Sequence, residues 1–152
     1  MSEIVDTWNI HDRINRHLLD AIDESWLGDT AGAKGRNVFD QFAHIHNVRL
    51  MWLKAAAADL LEGTIKIEKD MVPTKALLNA SLIQSGEAIA KLLERGATEG
   101  KIKGFKPHPT AFLGYLISHE SHHRGQITIA LKQSGHKVDQ KVLYGLWEWG
   151  SR

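Results

Sequence analysis

The chain has 152 residues, in which 19 lysines and arginines nearly balance 18 aspartates and glutamates, and its formal charge is +1. This balance argues against a nucleic-acid-binding surface, and the absence of cysteine excludes disulfides, cysteine-ligated metal sites and a cysteine nucleophile. The length suits one domain, which we expect to span residues 1–152.

The first residues, MSEIVDTWNIHDR, carry charges throughout and lack the basic start and apolar run of a signal peptide. The longest apolar stretch, Leu50–Leu61, is interrupted by Lys54 and Asp59, so it is a poor membrane span. We therefore expect a cytoplasmic protein that does not bind membranes.

Apolar residues recur at spacings near 3.6 along most of the chain, which predicts helices. The first helix is expected over residues 5–25 and the second from Asn37 to about Leu61. The third should begin near Thr74, an N-cap residue, and end at about Arg95, with Gly96 as a C-cap. The fourth should run from Pro109 to about Ser134.

The connections between these helices are polar. One of them, EGTIKIEKDMVP, alternates weakly and predicts a short extended piece, and the basic stretch KIKGFKPH reads as a solvated loop. The final DQKVLYGLWEWG predicts one or two helical turns. The expected fold is an all-α four-helix bundle with a short C-terminal helical segment.

Nine histidines are the unusual feature of the composition. On the fourth helix, Phe112, Leu116, His119, His123 and Ile127 fall on one stripe, which faces the core. Imidazoles four residues apart can bind the same metal ion. The run H-E-S-H-H also matches the H-E-x-x-H motif of zinc proteases. A protease of that type needs a further downstream ligand, so we do not interpret the run as a protease motif. Hydrogen-bonded core histidines are the alternative.

A third ligand must come from another helix. His44 and His46 on the second helix are two residues apart and point about 160° away from each other, so only one can face a given site. Periodicity does not choose between them, because this helix is apolar nearly all round. His11 and His17 on the first helix are interpreted as surface or interface residues.

The motif AHI on one helix, followed much later by H-x-x-x-H-R-G-Q on another, resembles the DinB/YfiT-like superfamily. The resemblance extends from the first helix, around Asn15, to the tryptophan-rich end YGLWEWG. It implies a four-helix bundle with a divalent-metal site whose ligands are His44, His119 and His123. Nitrogen ligands suit zinc or nickel best, with iron or copper as alternatives.

Three further residues of the fourth helix are candidates for supporting roles. His122 and Gln126 could hold the ligands in place, and Arg124 could meet an anionic group. These assignments rest on position alone.

The resemblance also implies a reaction class, because characterised relatives include transferases and isomerases that use low-molecular-weight thiols. The first hypothesis is a metal-dependent enzyme that joins a small thiol to an electrophile, or one with hydrolase-like activity. The second is a non-catalytic, stress-related metal-binding bundle. The third is a helical dimer with structural histidines, and a homodimer is expected in any case.

Overall fold

The computed structural model describes residues 1–32 and 34–152, and its frame is four long helices. The long helices and the short one that follows are α1 (Glu3–Asp20), α2 (Val38–Ala56), α3 (Lys75–Glu99), α4 (Pro109–Gln133) and α5 (Gln140–Gly145). Single 3-10 turns occur at Glu24–Trp26, Ala58–Leu61 and Trp149–Ser151. There is no strand within the described ranges, so the predicted all-α bundle with a short C-terminal segment is confirmed.

Three of the long helices begin at side-chain caps. Asn37, Thr74 and His108 each accept a hydrogen bond from the backbone amide three residues later, at 2.8, 3.1 and 3.1 Å. Pro109 occupies the first turn of α4, where its missing N–H costs nothing. The sequence located these starts because capping chemistry is local.

Two helices end earlier than the periodicity predicts. α1 ends at Asp20 rather than at residue 25, and α2 ends at Ala56 rather than at Leu61. Ala57 leaves the helical conformation, with φ −159° and ψ 70°, and the apolar run continues as a separate 3-10 turn. The end of α2 therefore depends on backbone geometry that hydrophobicity does not encode.

The segment 62–73, predicted as a short extended piece, forms no strand. Its backbone is held against α2 by Asn47, whose side chain donates to the Ile67 carbonyl at 3.0 Å and accepts from the Ile67 amide at 2.9 Å. His46 lies 2.8 Å from the Ile65 carbonyl through its Nε2. These side chains take the place of a partner strand.

The prediction that Gly96 caps α3 is wrong. The helix continues to Glu99 and ends at Gly100, whose φ of 75° is in the left-handed region. Gly96 is buried inside the last turns, where a Cβ would collide with the Ile102 side chain. The glycine is therefore explained by close packing.

Two apolar clusters fill the bundle, one towards each end. The first includes Ile14, Leu18, Phe42, Ile45, Leu82 and Ile127. The second includes Trp8, Leu53, Ile89, Leu92, Phe112 and Leu116. Buried polar residues from all four long helices occupy the intermediate helical turns: Asp12, Asn15, Arg49, Ser85 and Glu120. We call these residues, together with His11, the polar layer.

Among the helices of the described chain, none has both the length and the apolar character that a membrane span requires.

Candidate metal centre

Three histidines from two helices converge beside the polar layer. His44 lies on α2, and His119 and His123 lie one turn apart on α4. The ring of His44 is 5.3 Å from that of His119 and 4.5 Å from that of His123, and the two α4 rings are 4.6 Å apart. One nitrogen from each ring can be chosen so that all three lie within 4.8 Å of one another. This cluster is compatible with binding a metal ion.

His46 is not part of the cluster. Its ring is fully buried and engages the Ile65 carbonyl, on the side of α2 that faces the segment 62–73. The angular separation of residues two apart on a helix therefore places His44 in the cluster and His46 behind it.

The ring of His123 is held by Gln41. Nδ1 of His123 lies 2.7 Å from Oε1 of Gln41, so Nδ1 carries the proton and donates it to that oxygen. The lone pair of Nε2 is then available to a metal ion, in the arrangement by which metal-binding histidines are usually oriented. Gln41 precedes His44 by three residues on the same face of α2, and that spacing was the signal in the sequence.

A buried nitrogen also fits a metal at this place. Nδ1 of His119 is buried and has no hydrogen-bond partner among the described residues. An unpaired buried polar atom is costly, and coordination through Nδ1 itself would remove that cost. The residues present therefore suit a divalent ion with nitrogen ligands.

All three imidazoles are neutral at pH 7. Burial, followed by the charges of the neighbouring imidazoles and Arg36, lowers the pKa of His123 to about 4. Burial and the positive charge of Arg36 also lower the pKa of His44 and that of His119. Neutral imidazole is the form that binds metals, so the site needs no deprotonation to become a ligand set.

The other candidates on α4 lie outside the cluster. His122 is exposed and accepts a hydrogen bond from Gln126, with 3.2 Å between their Nε2 atoms. Its ring centroid is 5.0 Å from that of His123. Arg124 is directed towards α1, where it donates to Oδ1 of Asn15 at 2.7 Å. Arg124 therefore links α4 to α1. The sequence had suggested that it could bind an anionic group instead.

Behind the histidines, Arg49 of α2 and Glu120 of α4 form a buried, two-pronged ion pair. Nε and Nη2 of Arg49 donate to the two carboxylate oxygens at 2.8 and 2.7 Å. Burial alone would raise the pKa of Glu120, but the charge and hydrogen bonds of Arg49, with the hydrogen bond from His11, lower it to about 2. Both side chains are thus charged, although they are at most 1% exposed.

The polar layer extends this pair to α1 and α3. Oδ1 of Asp12 is 2.9 Å from Arg49, and Arg49 also donates to the Leu82 carbonyl at 3.1 Å. His11, predicted to be at the surface, is fully buried and lies 3.1 Å from Glu120, so that prediction is wrong. A charged residue on an otherwise apolar helix face was the signal for this layer.

The ion pair positions the histidine cluster. Glu120 directly follows His119, and Arg49 lies five residues after His44. Pairing them fixes the rotation of α4 against α2, and this rotation brings the three imidazoles together. Glu120 faces Arg49 in the bundle interior, so it is not available as the general base of an H-E-x-x-H protease.

An open cleft of about 880 Å³ begins at His44. Its walls are the start of α2 and the segment 62–73, including Arg36, Asn47 and Ile67. On α4, one turn before His119, the aromatic ring of Tyr115 lies nearly parallel to the ring of His119, with ring centroids 6.3 Å apart. A small molecule in this cleft would contact the cluster at His44.

These features define a helical bundle with a candidate three-histidine site for a divalent metal. The model of the DinB family matches residues 1–149, and the chain belongs to this family, as the sequence motifs indicated. The chain is also similar in fold to a DinB-like protein from Bacillus cereus, known from a crystal structure. The TM-score is 0.71 at 20% identity, over 90% of this chain and 93% of that one. No curated protein matches the chain.

Proposed function

We propose that this protein is a metal-dependent enzyme that uses a low-molecular-weight thiol to attack an electrophile. The observation that supports it most is the meeting of three neutral imidazoles, one of which, His44, lines an open cleft. Three protein ligands leave coordination positions for a substrate, as in catalytic rather than structural zinc sites. Zinc or nickel is the expected ion, with iron or copper as alternatives.

Each group of the site has a part in this proposal. His44, His119 and His123 would hold the ion, which supplies Lewis acidity and lowers the pKa of a thiol or water that it binds. Gln41 keeps the proton of His123 on Nδ1 and its ligand nitrogen free. The chain has no cysteine, so a thiol nucleophile must come from a substrate. Tyr115 offers an apolar surface to the electrophile beside His119.

Metal content tests the site itself. Protein purified without chelator or nickel resin should contain close to one equivalent of a divalent metal by elemental analysis. The double variant His119→Ala, His123→Ala should contain almost none, while His122→Ala, which removes an exposed imidazole outside the cluster, should keep it. Equal metal content in wild type and the double variant would contradict the proposal and favour structural histidines.

Turnover tests the chemistry. Metal-loaded protein is mixed with a panel of small thiols and a chromogenic aryl halide, and consumption of the halide is followed by absorbance. The rate should disappear on chelation and return with added metal. A metal-loaded protein that is inert with every thiol would instead support the non-catalytic metal-binding alternative. Hydrolysis of activated esters in the same assay would indicate hydrolase-like activity.

The expected homodimer stays a prediction, and sedimentation of the purified protein tests it.

A further inference from the structure

An exposed arginine lines the cleft that begins at His44. Four charged side chains line the cleft: Arg36, Asp40, Glu68 and Lys69. Arg36 lines this cleft together with His44 of the histidine cluster. Of the two cations in the cleft, Arg36 and Lys69, only arginine has a planar guanidinium that can bind both oxygens of a carboxylate.

Arg36 is exposed, and none of the carboxylates in the described chain lies within ion-pairing distance of it. Other arginines have such partners: Arg49 pairs with Glu120 and Arg95 pairs with Asp59. The guanidinium of Arg36 therefore faces the cleft with its hydrogen-bonding fork available. That fork matches the two oxygens of a carboxylate.

The charge of the site itself calls for an anion. Three neutral imidazoles leave the charge of a divalent ion uncompensated, and Glu120, which follows His119 in the chain, is already paired with Arg49. Arg36 adds a further positive charge in the cleft that His44 lines. A molecule that carries two negative groups, one for the ion and one for Arg36, would complement this field.

We propose that Arg36 is a specificity residue, which selects a small thiol bearing a carboxylate a few bonds from its sulfur. The proposal rests on the proposed thiol chemistry of the metal centre. The sulfur would lie at the histidine cluster and the carboxylate against the guanidinium of Arg36, in the part of the cleft that joins them. Arg36 makes this contact with the carboxylate and takes no part in bond breaking.

Binding of a matched pair of thiols tests this selection. Zinc-loaded protein is titrated by calorimetry with 3-mercaptopropionate and with its neutral amide, 3-mercaptopropionamide. We expect the wild type to bind the acid about tenfold more tightly than the amide, as one charge-assisted hydrogen-bonding contact provides. Arg36→Gln should abolish the preference without changing the zinc content, and Arg36→Lys should retain part of it.

Lys54→Gln is the matched control. Lys54 is an exposed cation on the same helix as His44 but ten residues further on, about 15 Å away along the axis. This variant should keep the full preference for the acid. A wild type without a preference, or an Arg36→Gln variant that keeps it, would overturn the assignment of Arg36.

The outcomes separate this inference from the proposed function. Failure of turnover with an intact, Arg36-dependent preference would remove the catalytic proposal alone. Turnover with equal affinities for acid and amide would remove the role of Arg36 alone. If zinc does not bind, propionate and propionamide are compared on metal-free protein by chemical shifts of His44. An Arg36-dependent preference there still supports the anion site, and its absence contradicts it.

Discussion

Two neighbouring regions of this bundle solve the problem of buried ionisable groups in opposite ways. In the histidine cluster, His44, His119 and His123 lose their charge, because burial and nearby positive charges make the protonated form unfavourable. One residue along α4, Glu120 keeps its charge, because Arg49 binds both of its oxygens. The difference is the partner: a paired ion can stay charged in the interior, whereas an unpaired imidazole becomes neutral.

This contrast has a functional side. Neutral imidazoles with free lone pairs can accept a metal ion. The charges of Arg49 and Glu120 already satisfy each other, so this pair cannot accept a metal ion. It holds α2 and α4 in register instead. If the three histidines were protonated instead, the cluster would be positively charged and would repel cations.

Breaking the ion pair should have the largest effect. Arg49→Met leaves Glu120 and Asp12 buried without their cation, and loss of one partner of a buried pair costs about 3–5 kcal/mol of unfolding free energy. Chemical denaturation followed by circular dichroism measures the loss. Glu120→Gln should cost less, because Arg49 keeps its contact with Asp12.

The control for this experiment is Arg95→Met, which removes an exposed ion pair with Asp59. Surface pairs contribute little, so this variant should unfold close to the wild type. An Arg49→Met variant no less stable than Arg95→Met would mean that the polar layer does not hold the helices together.

Removing the support of the metal centre should have an intermediate effect. Gln41→Leu takes away the acceptor that fixes the proton on Nδ1 of His123, and such losses typically weaken metal affinity by about 10- to 100-fold. Competition with a chromogenic chelator measures the affinity. His122→Ala, one residue from His123 but outside the cluster, should bind metal like the wild type. A Gln41→Leu variant with unchanged affinity would show that the tautomer needs no support.

Lowering the pH should change the stability less than these substitutions do, as long as the pH stays near neutral. It should also distinguish the histidine cluster from the ion pair, because the two lose their contributions in different pH ranges. His123 has a pKa of about 4 in the folded protein, below its ordinary value of 6.5, so the unfolded chain takes up its proton first. Its contribution to the stability of metal-free protein is therefore complete above pH 6.5 and is lost as the pH falls towards 4. For Glu120 the corresponding window runs from 4.5 down to about 2.

Histidine and carboxyl NMR signals followed against pH measure these transitions. The His123 signal should not move between pH 8 and pH 6, and the Glu120 signal should move only in strong acid. A His123 ring that titrates near its ordinary value would contradict the neutral, ligand-ready state of the centre.

The sequence predicted much of this protein because the signals were local. The 3.6-residue periodicity gave four helices, and the capping residues Asn37 and Thr74 and the first-turn Pro109 located the starts of three of them. The spacing of His119 and His123 put two imidazoles on one face. The DinB motifs added His44, which periodicity alone could not separate from His46.

Only the tertiary structure decided which groups meet across helices. A charged residue on an otherwise apolar helix face, such as Arg49, indicates a buried group, but the sequence does not show its partner, because that partner depends on the packing of distant turns. The spacing of Gln41 and His44 puts both on one face of α2, but only the packing shows that Gln41 contacts His123 and that Arg36 shares a cleft with His44. Helix formation is set by neighbours in the chain, whereas the charge state of a buried group is set by neighbours in space.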